Sequence, residues 1–208
     1  MTSVATKPAG HDLEAREALP ERTRVLVVDD HPAVRAGVRE LLADTADFEM
    51  VAAVSSAEAG LEAVARDPID VVVTDYQLGG RSGLWLSRKL KRLPQPPAVL
   101  IYSAYADGLL AAAAVVAEAD AIVSKGRLGA DLCEAIRSVG SGRRQLPLLP
   151  LRLGESVRCR LDHEQQAIFG LLLAGIKPRE AAATLGLSAA RMEAQLWEML
   201  RRLEGPPG

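Results

Sequence analysis

The sequence predicts an α/β domain built on a doubly wound parallel sheet, followed by a small all-α domain. Short apolar runs that end in polar residues are typical of buried parallel strands. Helical stretches separate these runs, and five successive strand–helix units predict a sheet covered on both faces. The C-terminal region has helical periodicity alone. The apolar runs that end in polar residues lie at 25–28, 71–73, 99–101 and 121–123.

Local signals place the other elements of the first domain. Proline suits the first turn of a helix, so the first helix should begin near Pro32. Ser55 or Ser56 is expected to cap the second helix. The further predicted elements are a strand at 48–54, helices at 57–66, 83–93 and 107–117, and a fifth helix carrying Leu128, Leu132, Ala135, Ile136 and Val139.

Three helices are predicted in the C-terminal domain. Asp162 and Gln165 form a capping-box pattern, and Pro178 opens a short helix that ends in a turn at Gly186. Ser188 should cap the last helix, which carries an apolar stripe. The stripe consists of Met192, Leu196, Met199, Leu200 and Leu203. The stretch before these helices contains Gly, Pro and Arg without a period, which predicts a linker at 144–160.

Composition and charge set limits on the class of protein. The chain has 208 residues and a formal net charge of −2, which divides into +2 from residue 144 onward and −4 before it. A mildly basic second domain is compatible with nucleic-acid binding. The isolated Cys133 and Cys159 indicate a reduced, cytoplasmic protein. No apolar stretch is long enough to span a membrane, and residues 1–22 are expected to form a disordered tail rather than a signal peptide.

Polar side chains follow the predicted strands where each strand ends, at Asp29, Asp30, Asp75, Ser103 and Lys125. Functional groups of open α/β sheets gather outside the carboxyl ends of the strands. Three carboxylates in one pocket repel each other unless a cation is present, and Mg²⁺ is the simplest hard cation with oxygen ligands. Aspartate can also act as a nucleophile toward phosphorus, so this edge predicts phosphoryl chemistry.

Each of these residues alone has a structural interpretation. Asp29 and Asp30 could cap the first helix, Asp75 could be an ordinary loop residue, and Lys125 could be a solvated surface charge. Their occurrence together, at the ends of four neighbouring elements, favours a functional pocket.

The segment 25–37, which reads VLVVDDHPAVRAG, resembles the opening of a bacterial response-regulator receiver domain, and in particular the NarL/FixJ subgroup. The resemblance covers about residues 23–143 for the receiver and 161–203 for a LuxR-type helix-turn-helix. It implies a CheY-like (flavodoxin-like) fold with five parallel strands in the order 2-1-3-4-5. A sensor histidine kinase would supply the phosphoryl group, and the receiver would be a stoichiometric acceptor rather than an enzyme. A dedicated metal phosphatase is a less favoured alternative.

The resemblance also implies a role for each pocket residue. Asp75 would be the phosphoacceptor, and Lys125 would neutralise charge on the transferring group. Ser103 would donate a hydrogen bond to the attached phosphoryl group and so draw the following loop toward the pocket. The implied Mg²⁺ ligands are Asp75, Asp30 directly, Asp29 through water, and the backbone carbonyl of Gln77.

The receiver segment departs from the family pattern at two positions. Ile122 replaces the Tyr or Phe that often lies three residues before the lysine, so coupling to the surface is expected to differ. Tyr102 or Tyr105 could take a related role or could simply pack. Gly79 replaces a common proline, whereas Gly83, eight residues after Asp75, matches the family.

The last helix differs from the family pattern more than the receiver segment does. LuxR-type recognition helices usually offer Thr, Lys and His where this chain has Arg191, Glu193 and Gln195, and Glu193 is negative where a phosphate-binding cation is expected. Trp197 lies off the apolar stripe, which predicts either an interface or packing on the linker. The candidate DNA contacts are Arg191, Gln195, Arg201 and Arg202, with a solvated helix face as the alternative for the arginines.

We therefore predict a response regulator that controls transcription, with a receiver at 23–143, a linker at 144–160 and a helix-turn-helix at 161–204. The usual fourth helix, often the dimerisation element, is not expected, so a homodimer would form through the receiver. The alternative is a regulator whose altered second domain binds another protein and not DNA. Glu193 favours the alternative, whereas Arg191 and the positive charge of the domain favour DNA.

Overall fold

Five parallel strands form the sheet, in the order β2-β1-β3-β4-β5. The structure is a computed structural model that describes residues 22–104, 107–127, 129–146 and 153–204. The strand order confirms the predicted doubly wound α/β fold. The strands are β1 (Thr23–Val28), β2 (Phe48–Val54), β3 (Val71–Asp75), β4 (Ala98–Ser103) and β5 (Ala121–Ser124).

Helices cover both faces of the sheet. Successive side chains of a strand point to opposite faces, and in β1 the side chains on both faces are apolar. On one face α1 and α5 pack on Val25, Val27 and their neighbours. On the other face α2, α3 and α4 pack on Leu26 and Val28. These helices are α1 (Pro32–Ala43), α2 (Ala57–Arg66), α3 (Gly83–Leu90), α4 (Gly108–Val116) and α5 (Gly129–Gly140).

Most predicted helix ends are confirmed. Helix α1 begins at Pro32, and Ser56, one of the two candidate caps, accepts a hydrogen bond from the Ala59 N–H. Helix α3 ends at Leu90, three residues before the predicted end. The predictions for Tyr105, Leu128 and the N-terminal tail fall on residues outside the described ranges.

The C-terminal helices are α6 (Leu153–Arg158), α7 (His163–Leu173), α8 (Pro178–Leu185) and α9 (Ala189–Glu204). The capping box of Asp162 and Gln165 is confirmed, and Gly186 ends α8 in the left-handed conformation. The linker prediction missed α6, because a six-residue helix is too short for a periodic pattern to identify. Val157 of α6 is buried, so this helix belongs to the packed structure.

A single apolar cluster joins the two parts of the chain. Helix α9 packs along α4, the Ala-rich helix of the sheet domain. The predicted stripe of α9 is buried throughout, including Leu196 and Met199 with no exposed surface. The same cluster contains Leu110 and Val116 of α4. The outer face of α4 and the stripe of α9 are therefore one core.

Candidate functional site

The carboxyl edge of the sheet brings Asp29, Asp75 and Lys125 together. Lys125 Nζ lies 2.7 Å from Asp29 Oδ2 and 2.7 Å from Asp75 Oδ2. Asp29 and Asp75 are buried, and the backbone N–H of Lys125 donates to the carbonyl of Ser103 at 2.8 Å. The ends of β1, β3, β4 and β5 thus form one pocket around a single ammonium group.

Asp29 also has a structural role, whereas Asp30 does not cap the helix. The His31 backbone N–H donates to Asp29 Oδ1 at 2.9 Å, and the N-cap of α1 is His31 without a side-chain cap. Asp30 Oδ1 is shielded from solvent and accepts no hydrogen bond. It lies 2.7 Å from His31 Nδ1, but without hydrogen-bond geometry. Asp29 Oδ1 therefore fixes the residue that precedes the helix, and neither aspartate caps α1.

Three carboxylates and one imidazole at this edge could hold a divalent cation. One ligand atom from each of Asp29, Asp30, His31 and Asp75 lies within 4.8 Å of the others. Carboxylate oxygens are the ligands that Mg²⁺ prefers, and Asp30 Oδ1, which accepts no hydrogen bond, is one such oxygen. The donor set therefore fits Mg²⁺.

Burial and the Lys125 ammonium act in opposite directions on the pKa of Asp75. Burial raises the pKa of Asp75, the charge of Asp29 raises it further, and Lys125 partly offsets both. Burial alone would lower the pKa of Lys125, but its hydrogen bonds to Asp29 and Asp75 outweigh that effect and raise it. A cation beside Asp75 would favour the ionised, nucleophilic carboxylate.

The remaining predicted pocket residues surround this centre. Ser103 is buried at the end of β4. Gln77 is exposed two residues after Asp75, and its backbone N–H bonds the Asp75 carboxylate. The Tyr102 ring centroid lies 5.9 Å from Lys125 Nζ and packs in the cluster under α1 and α5. Ile122 packs against the cluster on the opposite face, so no aromatic side chain occupies that position.

The candidate DNA contacts on α9 are engaged within their own domain. Arg191 pairs with Glu164 at 2.8 Å, and Arg201 and Arg202 both pair with Glu198. Gln195 is buried and accepts a hydrogen bond from Gln165 Nε2 at 2.8 Å. In this arrangement Gln195 lies inside the helical domain, while the three arginines lie on its surface.

Sequence reasoning missed the contacts between α9 and the sheet domain. Arg88 of α3 bonds Glu193 at 2.5 Å, and the Ser82 hydroxyl donates to Glu204 at 2.5 Å. Lys89 lies over the Trp197 ring, 5.4 Å from its centroid. The off-stripe position of Trp197 was the one sequence signal for this surface, and Lys89 of α3 lies over its ring.

Glu204 makes the stability of the contact between α9 and the sheet domain depend on pH. Burial raises the pKa of Glu204, and its bond to Ser82 only partly offsets this. The protonated form thus contributes stability that is complete below the ordinary pKa of about 4.3 and is lost as the pH rises through the folded-state pKa. Tyr76, Arg81 and Arg201 line the same cleft.

We expect Glu204→Gln, which mimics the protonated form, to match the wild type near pH 4 and to exceed its stability at pH 7.5 by less than about 1 kcal/mol. Urea unfolding at both pH values measures the difference. Glu62→Gln, at an exposed position of α2, is the control and should leave the pH profile unchanged. The stability difference between Glu204→Gln and the wild type is the quantity to compare. If the variant gains less over the wild type at pH 7.5 than at pH 4, the assignment is contradicted.

Comparison with known proteins agrees with this geometry. The family model for the response regulator receiver domain matches residues 25–137. The response regulator UvrY of Escherichia coli K12 is 29% identical over 189 residues, which cover 86% of this chain and 87% of UvrY. A doubly wound receiver with an aspartate pocket is thus the class that the fold and site define. The chain belongs to the response regulator family.

Two solved structures show the same fold. The receiver domain of the NarL response regulator from Mycobacterium tuberculosis is 27% identical, with a TM-score of 0.58 over 60% of this chain and all of that one. RcsB from Salmonella enterica serovar Typhimurium, solved bound to promoter DNA, is 22% identical, with a TM-score of 0.58 over 88% of this chain and 92% of its own. In the described ranges no helix is both long and apolar enough to cross a membrane.

Proposed function

We propose that Asp75 accepts a phosphoryl group from a sensor histidine kinase and that the second domain binds promoter DNA in response. The observation that carries the first part is the placement of Lys125 Nζ at 2.7 Å from Asp75 Oδ2, beside Asp29. An ammonium in this position holds the nucleophile and would neutralise charge on the phosphoryl oxygens.

The chemistry follows from the residues of the pocket. A carboxylate oxygen of Asp75 forms a bond to phosphorus while the bond from phosphorus to the kinase imidazole breaks, and a proton returns to the imidazole. Asp29, Asp30, Asp75 and the Gln77 carbonyl would hold Mg²⁺, which when bound offsets the negative charge of the transferring group. Ser103, buried beside the pocket, would donate a hydrogen bond to the attached phosphoryl group.

The domain limits we propose are a tail at 1–22, a receiver at 23–143, a linker at 144–160 and a helix-turn-helix at 161–204. Three arginines on the surface of α9, Arg191, Arg201 and Arg202, would contact phosphates. A cytoplasmic location agrees with a DNA target and with the free Cys133 and Cys159. A homodimer through the receiver would place two such helices for neighbouring half-sites.

A specific observation favours a second candidate, a regulator whose C-terminal domain binds protein and not DNA. Glu193 occupies the position of an expected cation and bonds Arg88 of the sheet domain. Gln195, a candidate base contact, is buried. Both side chains would have to be released before α9 could enter a groove of DNA.

A salt titration with DNA separates the two candidates. If the arginines contact phosphates, binding of genomic fragments should fall with salt, with a slope close to the number of phosphates contacted, and phosphorylation should strengthen it. The measurement is fluorescence anisotropy of labelled duplexes from about 50 to about 300 mM salt, a range over which the Debye length shortens and contacts to phosphates weaken. Absence of binding at the lowest salt, in protein shown to be phosphorylated, would favour the protein-binding regulator.

A further inference from the structure

Arg88 of α3 is almost fully buried and is surrounded by carboxylates. Its side chain is 4% exposed and pairs with Glu118, which follows α4, and with Glu193 of α9. Arg92, two residues past the end of α3, lies 3.5 Å from the other oxygen of Glu193. Guanidinium groups suit such multiple pairing because their donors form a rigid, planar fork. Helices α3 and α9 and the segment that follows α4 thus meet at one buried cation.

The backbone at Glu118 is unusual in a way that serves this cluster. Glu118 has a φ of 57°, a left-handed conformation that favours glycine. Its N–H donates to Val115 and that of Ala119 donates to Ala114, which closes the end of α4. A residue other than glycine that keeps this costly backbone conformation is often one whose side chain has a specific role. Here the carboxylate of Glu118 fixes the guanidinium of Arg88 from the receiver side.

We propose that Glu193 is a latch residue, whose carboxylate on Arg88 holds helix α9 against the receiver. The position that carries a phosphate-binding cation in related helices would thus serve an internal contact in this chain. Arg88 is already held by Glu118, so it is preset to receive Glu193 when the C-terminal domain docks. Opening the latch leaves Glu118 to neutralise Arg88, so the receiver keeps its own ion pair in the open state.

The two tryptophans of the chain report on this contact. Lys89 Nζ lies 5.5 Å from the ring centroid of Trp85 and 5.4 Å from that of Trp197. Both rings line the cleft between the β3–α3 loop and α9, and both are partly buried. Withdrawal of α9 would expose both rings to solvent. Quenching of intrinsic fluorescence by acrylamide therefore measures docking of the full-length protein without a label.

The test compares Glu193→Gln with Glu198→Gln in the full chain. Glu198 lies on the same helix but pairs with Arg201 and Arg202 of its own domain, so it is the matched control. We expect Glu193→Gln to raise the ratio of undocked to docked protein at least about fivefold, because the buried Arg88 loses one of its two carboxylate partners, and so to increase quenching. Glu198→Gln should quench like the wild type.

A second variant keeps the test decisive if Glu193→Gln folds poorly. Glu193→Asp retains the charge but withdraws it by one methylene, and it should give quenching between the wild type and Glu193→Gln. Protein unfolded in urea supplies the value for fully exposed tryptophans. Wild-type quenching in both Glu193 variants, or equal increases in the Glu193 and Glu198 variants, would overturn the latch.

Discussion

Replacing Asp75 with asparagine should abolish the labelling of this protein by acetyl phosphate in the presence of Mg²⁺. The amide that replaces the carboxylate is not a nucleophile for phosphorus, and the described part of the pocket places no other carboxylate in contact with Lys125 except Asp29. Labelling is measured as the mass increase of the intact protein after incubation with acetyl phosphate.

Two controls define the result. Asp70→Asn changes a carboxylate at the opposite end of the same strand, where it accepts a hydrogen bond from the Arg24 N–H, and full labelling is expected. Asp30→Asn removes one proposed metal ligand but not the acceptor, so it should slow labelling and raise the Mg²⁺ concentration required. Persistent labelling of the Asp75→Asn protein would show that another residue is the acceptor.

Replacing Gly83 with alanine should destabilise the protein by about 3 kcal/mol, the upper range for a side chain inserted where there is no room. A Cβ at this position would lie 2.0 Å from the backbone oxygen of Asp75 and 3.0 Å from Thr74 Oγ1. The obstacle is backbone, which cannot rotate away as a side chain can. The Gly83 N–H also donates to the Tyr76 carbonyl at 2.9 Å, so α3 begins directly against the phosphoacceptor strand.

Gly37→Ala is the matched control for this effect. Gly37 lies within α1, and an added Cβ there meets no atom within 4 Å. Alanine in an open helical position is expected to stabilise the protein by up to about 1 kcal/mol. Urea unfolding of both variants measures the two effects, and a Gly83→Ala protein as stable as the wild type would show that the β3–α3 junction can shift.

The pocket could be predicted from the sequence because its geometry depends on local rules. A polar residue after a buried parallel strand lies at the carboxyl edge wherever the strand is placed in the sheet. Asp29, Asp75 and Lys125 each follow such a strand, so the order of the strands did not need to be known. The capping box at Asp162 was predictable for the same reason, since it depends on residues three apart.

The contact between the two parts of the chain could not be predicted in this way. Arg88 and Glu193 are 105 residues apart, and each lies on a helix face that sequence patterns treat as solvated. A charged residue carries no periodic signal that identifies its partner. The buried side of Gln195 was hidden similarly, because its partner Gln165 is a capping residue of another helix. The prediction that α9 carries an apolar stripe was correct, but the pattern does not identify α4 as the helix that covers this stripe.

The apolar cluster that α4 and α9 share has a consequence for how the protein can be divided. A fragment cut within the linker would leave the outer surface of α4, which includes Leu109 and Val115, facing water. Exposed apolar patches of that kind promote self-association, so the isolated receiver should be prone to aggregate. By covering this surface of α4, the C-terminal helices would thus also keep the receiver dispersed.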